Sequence, residues 1–476
     1  MMHRTTSRRT FLAATAAASL AWPLRRVRGA NDQVRIAVLG VRSKGWQHVG
    51  IFRSLPGVRV VTLCDPDQAI LDRRAEESGE PVKKETDLRA VLEDKDVDAV
   101  VVATPNHWHA LATIWACQAG KDVYVEKPAA YDLWEGRQMM AAAAKYNRVV
   151  QAGMQRRSDE ALMSGLTEIR DGKLGRIHRV NLVHYAQRAA IGRTTTEVPD
   201  SVDYNLYAGP APMSPIRRDN LHYDWHWFWE TGNGELGNNG PHGIDLARFV
   251  LDQHALPPRV WSVGGRYKWD DLGETPNTHI TYLDYDPAPI IAEVRNLPAA
   301  ADVNAAPNLR GVRTGIIVDC EDGYFSGLNG GAIYDHDDNR IETVDGDGGR
   351  HHQANFIKAV RSRNAADITC NAEDGHLSGS LCHLGNIAYR VGAEATSEQI
   401  HQAIESDTAG RDSFDRMTEH LAANEVDLEA KPLTFGPSLT FDPTAERFTG
   451  PSPLTEAANN LRRRDYRRPF VVPEQV

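Results

Sequence analysis

Three scarcities narrow the class of this chain before any motif is read. Cysteine is rare: five residues, at positions 64, 117, 320, 370 and 382 of 476, with no C-x-x-C pair among them. That pattern excludes a disulfide scaffold and the common cysteine zinc knuckles. No apolar run approaches the ~20 residues that span a bilayer. Excess positive charge is also missing. The formal net charge is −10, and the first 30 residues contain six arginines and no acid, so the remainder is more acidic still. Nucleic-acid binding needs clustered Lys and Arg to displace counterions, and this chain lacks the balance for it.

What is present is ordinary globular material: 41% hydrophobic and 25% charged residues. A chain of this length predicts two or three domains. The N-terminus, "SRRTFLAATAAASLAWPL", runs a basic pair into a short Ala-rich segment. It reads as a twin-arginine export signal over residues 1–30, with the export machinery as a partner and the periplasm or another exported location as destination. Arg25, Arg26 and Arg28 spoil a clean small-x-small cleavage pattern, so the cleavage site and a retained anchor both stay open. That export route resembles one that carries folded proteins, which suits free buried thiols and a cofactor loaded beforehand.

Residues 31–157 alternate strand-like and helix-like patterns. "QVRIAVLG", "VRVVTLCD", "VDAVVVATP", "DVYVEKP" and "NRVVQAG" are the strands, and a helix over Ala110–Ala119 ends at Gly120. This spacing predicts βαβ units and a doubly wound parallel sheet. The first turn, Gly40-Val41-Arg42-Ser43-Lys44-Gly45, has the outer glycines of G-x-G-x-x-G, but Arg42 stands where the middle glycine lets backbone approach a pyrophosphate. Asp65 lies 25 positions beyond Gly40, at the end of the next strand. A carboxylate there accepts from a ribose 2′-OH and repels a 2′-phosphate, so NAD is favoured over NADP.

"ATPNHWHALATIWACQAGKDVYVEKPAA", with Thr104-Pro105-Asn106, His109 and Glu126-Lys127-Pro128, resembles the signature of the glucose–fructose oxidoreductase / inositol dehydrogenase / rhizopine-catabolism (Gfo/Idh/MocA) family. "DGKLGRIHRV", "VDYNLYAGPAP" and "GHLSGSLCHLGNIAYRVG" extend the resemblance, the last two towards its exported bacterial branch. It implies an α/β chain: an N-terminal Rossmann domain, then a C-terminal α+β domain on a large, mostly antiparallel sheet that often forms a homodimer or homotetramer interface. Residues 158–430 fit that second domain, because longer strand-like runs alternate there with Gly/Pro-rich loops. The Pro-rich segment 431–476 is expected to wrap the surface.

The resemblance places Lys127 beside the nicotinamide, bonded to the reacting hydroxyl, and Glu126 on the nicotinamide ribose. Thr104, Pro105 and Asn106 are expected along ribose and pyrophosphate, with Gly40, Arg42, Ser43, Lys44 and His109 in the same cofactor site. Gln155 and Arg157 end the last strand and face the interdomain cleft. In "GNGELGNNGPHGIDLARFVLD", Gly240-Pro241 fits a helix start with proline at N1, putting His242 in the first turn. The positive helix end there would keep the imidazole neutral. The family pattern is roughly G-G-x-x-x-D-x-x-x-H; the histidine is His242, but the acid position is Asn238, which can hydrogen-bond a hydroxyl and cannot transfer a proton. Asp245 is expected to orient His242 or touch substrate, and Trp225, in the aromatic run "YDWHWFWE", to stack on a sugar ring. A zinc site from His226, His242 and Asp245 has the wrong spacing, so no metal is expected.

These readings converge on an exported oxidoreductase acting on a sugar or polyol CH–OH with a tightly bound nicotinamide cofactor. Lys127 and His242 are its catalytic pair, and Asn238, Gln155, Arg157, Asp245 and Trp225 contact substrate. Two alternatives stand beside it: a glycosidase or lyase working by transient oxidation and re-reduction, and a silent sugar-binding protein, suggested by Arg42 and Asn238.

Overall fold

Two sheets organise the chain in the computed structural model, which describes residues 33–476; the expected export signal lies outside the described residues. The first sheet is built from β1 (Val34–Leu39), β2 (Val58–Cys64), β3 (Lys83–Glu85), β4 (Ala99–Val102), β5 (Asp122–Val125) and β6 (Val150–Ala152). Between them run α1 (Lys44–Arg53), α2 (Gln68–Glu77), α3 (Leu88–Glu93), α4 (Asn106–Gln118) and α5 (Leu133–Lys145). The order is β3-β2-β1-β4-β5-β6 and every pairing is parallel. β4 and β5 are buried throughout, as strands with helices on both faces must be. β3 was not anticipated: its sequence is Lys-Lys-Glu, so it carries no apolar signal. Helix α4 begins at Asn106, four residues ahead of the expected Ala110, because Pro105 sits extended at its N-cap.

The second unit runs α6 (Glu160–Arg170), β7 (Ile177–Tyr185), α7 (Tyr204–Ala208), α8 (Gly234–Val250), β8 (Arg259–Gly265), β9 (Thr278–Leu283) and β10 (Ile290–Arg295). It continues through β11 (Thr314–Cys320), β12 (Gly323–Gly327), β13 (Gly330–Tyr334), β14 (Arg340–Asp345), α9 (His352–Ser362), α10 (Ala372–Arg390), β15 (Ala393–Ala395), α11 (Ser397–Ala403) and α12 (Thr408–Ala423). It closes with β16 (Leu433–Asp442), β17 (Arg447–Thr449) and α13 (Leu454–Asn460). The eleven strands form one sheet, antiparallel except where β7 pairs with β10. The segment after Lys431 is therefore not only a surface wrap. Leu433, Phe435, Leu439 and Phe441 alternate like a strand, and a register shift between Gly436 and Leu439 accommodates Pro437 as β16 pairs with β8.

One face of this sheet packs on α8 and α10 through Leu182, Ile290, Ile316, Ile244, Leu381 and Leu384. Over β8–β10 the opposite face is filled by the chain's own α11 and α12, with Trp261, Ile280 and Ile291 against Ile400, Phe414 and Met417. The face expected to serve an oligomer is thus covered internally over those three strands.

Candidate active site

A cavity of about 340 Å³ opens at the carboxyl ends of β1, β2, β4 and β5 and is capped by the second unit. Ligands bind at this place in parallel sheets. At one end lies the Gly40 turn. Gly40 has φ +81°, and a Cβ there would stand 2.7 Å from Ala103 O; a Cβ on Gly45 would stand 1.7 Å from Gly40 O. Both outer glycines are thus sterically required. Arg42 is tolerated between them because its guanidinium points out of the turn, to Asn220 Oδ1 at 3.3 Å.

Asp65 follows β2 and accepts from Val41 N at 2.9 Å and Asp67 N at 3.0 Å. Burial pushes its carboxyl up to about 6 against those two donors. Thr104, Pro105 and Asn106 wall the middle of the cavity, with the Thr104 hydroxyl buried and unpartnered. His109 lines the same wall, its ring bridging Thr104 O at 2.8 Å and Pro128 O at 2.6 Å.

At the other end Glu126, Lys127, Asn238, His242 and Trp225 line the cavity together. Glu126 Oε1 is 2.8 Å from His48 Nε2 and 3.8 Å from Lys44 Nζ. Burial opposes its ionisation, but the His48 hydrogen bond and the Lys44 and Lys127 charges outweigh it and hold the carboxyl well below the usual range. Lys127 Nζ donates to the backbone carbonyl of Asn238. Burial lowers its ammonium pKa, with Glu126 and Glu235 pulling the other way. His242 is kept neutral by burial, reinforced by the Lys127 and Arg156 charges, and its Nδ1 is buried without a partner.

Three expectations need correction. His242 is not in a first helical turn: α8 begins at Gly234 and carries Pro241 in its interior. Neutrality of the ring comes from burial and nearby cations, not from the helix end. Arg157 and Asp245 do not line the cavity; they pair with each other, Nε–Oδ2 2.7 Å and Nη2–Oδ1 3.0 Å. Asp245 also accepts from Ser378 Oγ at 2.7 Å, so it neither orients His242 nor faces substrate. Gln155 likewise lies outside the cavity, its carbonyl packed against Gly349.

Two features escaped the sequence reading. His48 pairs with Glu126 from α1, a contact no spacing rule announces. Glu235, in the first turn of α8, is buried with His184 Nε2 at 3.0 Å, Arg188 Nε at 3.0 Å and His226 Nε2 at 3.4 Å. His226 is thereby committed to Glu235, and among the described residues no cluster of three or more His, Cys, Asp or Glu is arranged to hold a metal.

The Gly40 cradle, the Asp65 carboxylate and the orphaned Thr104 and His242 atoms fit a dinucleotide. That arrangement defines a nicotinamide-dependent oxidoreductase fold. Residues 34–154 match the oxidoreductase family NAD-binding Rossmann domain and residues 188–419 the same family's C-terminal alpha/beta domain. The chain belongs to the Gfo/Idh/MocA oxidoreductase family.

Among its relatives, scyllo-inositol 2-dehydrogenase (NAD(+)) of Bacillus subtilis (strain 168) is 34% identical over 147 residues, 31% of this chain and 43% of that protein. A glycosyl hydrolase family 109 protein of Shewanella baltica (strain OS155 / ATCC BAA-1091) is 35% identical over 122 residues, 24% of this chain and 27% of that one. The chain thus aligns with less than half the length of these curated relatives. The WlbA dehydrogenase of Bordetella pertussis, solved with NADH and UDP-GlcNAcA, superposes with a TM-score of 0.54 at 19% identity, over 73% of this chain and 93% of WlbA. At that identity the likeness is one of fold.

Proposed function

We propose that this protein is an exported oxidoreductase that takes hydride from a sugar or polyol CH–OH, with NAD as the preferred cofactor. The observation that carries the reading is the meeting of Lys127 and His242 at one end of the cavity whose other end is the Gly40–Asp65 cradle. Bound there, a nicotinamide would supply the hydride acceptor. Lys127 holds the substrate oxygen by its ammonium, itself oriented by the Asn238 carbonyl. His242, neutral and with an unpartnered ring nitrogen, takes the hydroxyl proton. Glu126, fixed as a carboxylate by His48, positions the ribose. Trp225 offers a ring face to the sugar. The name of the inositol dehydrogenase relative supports a polyol substrate.

Outside the cytoplasm little free NAD is available to recycle, so the cofactor is proposed to stay bound and to be restored within each catalytic cycle by passing its hydride to a second carbohydrate, which is reduced as the first is oxidised. The family 109 relative favours a second reading, in which oxidation is transient and a glycoside is cleaved. A homodimer or homotetramer would use the part of the large sheet not filled by α11 and α12.

Mass spectrometry of the protein as purified tests the bound cofactor, and stoichiometric NAD(H) is expected. Incubation with a panel of sugars, polyols and aryl glycosides separates the chemistries. Absorbance of bound NADH without cleavage supports the dehydrogenase, whereas aglycone release with no net NADH supports the second reading. Silence on every substrate with cofactor bound would sink both.

A further inference from the structure

The cofactor cavity has a wall that the Rossmann motifs do not supply. Leu206, Tyr207, His222 and Tyr223 of the second unit face Asp65, Pro66 and Asp87 across it. They belong to a strap, residues 199–223, that lies over the carboxyl end of β2, where the adenosine half of a dinucleotide rests in such sheets. The strap is joined to the Rossmann unit by backbone as well as side chains. Val202 forms an antiparallel bridge with Asp67. Gln68 N donates to Ser201 O at 2.8 Å, and Asp203 N donates to Pro66 O at 2.9 Å. His222 Nε2 lies 2.9 Å from Asp67 Oδ2, and Asn220 receives Arg42 from the glycine turn. On the α4 side Trp108 Nε1 donates to Leu206 O at 3.0 Å. Gly209, at φ +50°, lies so close that a Cβ would stand 2.2 Å from the Trp108 ring.

The strap is in turn held from outside. The C-terminal segment 462–472 crosses it: Arg467 donates to Asn205 O and Asn205 Oδ1, both at 2.6 Å, and to Ala211 O at 3.2 Å. Phe470, 1% exposed, inserts against Trp108 with ring centroids 5.4 Å apart. Strap, α4 and C-terminal segment thus interlock, although Arg467 is 262 positions from Asn205.

We infer that residues 199–223 are part of the cofactor site, enclosing its adenosine half, and that Arg467 and Phe470 latch them shut, so that a bound dinucleotide leaves only when the latch opens. The inference rests on the proposed retention of NAD and gives that retention a structural cause. It also assigns the C-terminal segment a role in cofactor binding without any contact to the cofactor itself.

The test is the dissociation rate of NADH from the full-length protein, followed by loss of its bound-state fluorescence when excess unlabelled NAD is added. Arg467→Ala and Phe470→Ala are expected to speed release at least tenfold, and Arg467→Lys to fall between. Asn205→Ala removes the Asn205 Oδ1 acceptor from the strap side and is expected to speed release even if the tail variants do not fold, which circular dichroism reports. Wild type releasing NADH within seconds would overturn the retention reading itself. Slow release in wild type with equally slow release in folded Arg467→Ala, Phe470→Ala and Asn205→Ala would leave retention standing and overturn the latch.

Discussion

The ammonium of Lys127 is held by the backbone carbonyl of Asn238, not by its side-chain amide. This carbonyl lies in the α8 turn that contains Pro241, and proline at that position removes the N–H that Gly237 O would otherwise accept. Proline frees the Gly237 oxygen, whereas Lys127 bonds the next carbonyl along the turn, that of Asn238. An acid missing from position 238 does not unseat the lysine.

It follows that Asn238→Ala should keep turnover within about tenfold of wild type. Lys127→Met, which removes the group proposed to hold the substrate oxygen during proton transfer, should cost roughly 10²–10⁴-fold, the range of a positioned proton-transfer group. Single-turnover reduction of bound cofactor with the best polyol or sugar measures both. An Asn238→Ala loss as deep as that of Lys127→Met would mean that the amide, not the carbonyl, carries the function.

Arg157 and Asp245 make a different prediction. Their bidentate pair joins the 3-10 turn Gln155–Ser158, after β6, to α8, and Arg248 and Asp374 extend it, with Arg248 Nη2 2.8 Å from Asp374 Oδ1. Burial disfavours the Asp245 charge, but Arg157 and Arg248 hold its carboxyl below the ordinary value. Asp245→Asn removes the nearest counter-ion of Arg157 and leaves it only Asp374, at 3.7 Å, a change that costs up to the ~3–5 kcal/mol of a broken buried pair. Denaturant unfolding should show that loss, while KM for substrate in the folded protein stays put. A raised KM with unchanged stability would return Asp245 to the substrate site.

Gly40→Ala tests the cradle. The added methyl would meet Ala103 O at 2.7 Å in a backbone conformation of φ +81° that alanine resists. A destabilisation of ~1–3 kcal/mol is expected from the backbone strain, together with loss of NAD from the purified protein. Full NAD occupancy in the variant would show that the turn does not approach the dinucleotide.

How far the sequence carried these conclusions depends on the range of each contact. Thr104 to Asn106 and Glu126 to Pro128 were legible because each directly follows a Val-rich strand, and a parallel sheet delivers strand ends to one cleft. Pro241 misled: Gly-Pro reads locally as a helix start, whereas tertiary packing of Leu236 and Ile244 on the large sheet extends α8 through it. Arg157 and Asp245 each looked like a site residue alone, and nothing in a spacing of 88 positions shows that they neutralise each other. The strap's contacts were illegible for a related reason: "VDYNLYAGPAP" stands out as a motif, but its segment's bonds to Asp67, Trp108 and Arg467 join stretches far apart in the chain, and none leaves a periodic trace.

The last prediction concerns acid. Burial lowers His107 and His279 to about 3 and His352, His383 and His420 to about 4 from the ordinary 6.5. The unfolded chain therefore takes up protons below pH 6.5 that the folded chain refuses until about pH 4, and stability falls as pH falls through that window. Three buried carboxyls act in the opposite sense. Asp65 and Asp132, raised to about 6, and Glu135, raised well above its usual value, bind protons in the folded state first. Five imidazoles outnumber three carboxyls, and His109, His222 and His242, also depressed, add to the larger side. Each net proton changes stability by ~1.4 kcal/mol per pH unit. The urea midpoint should be nearly level from pH 8 to about 7 and drop steeply between about 6.5 and 4.5. A midpoint that holds level to pH 4.5 would mean that the buried imidazoles accept protons without unfolding.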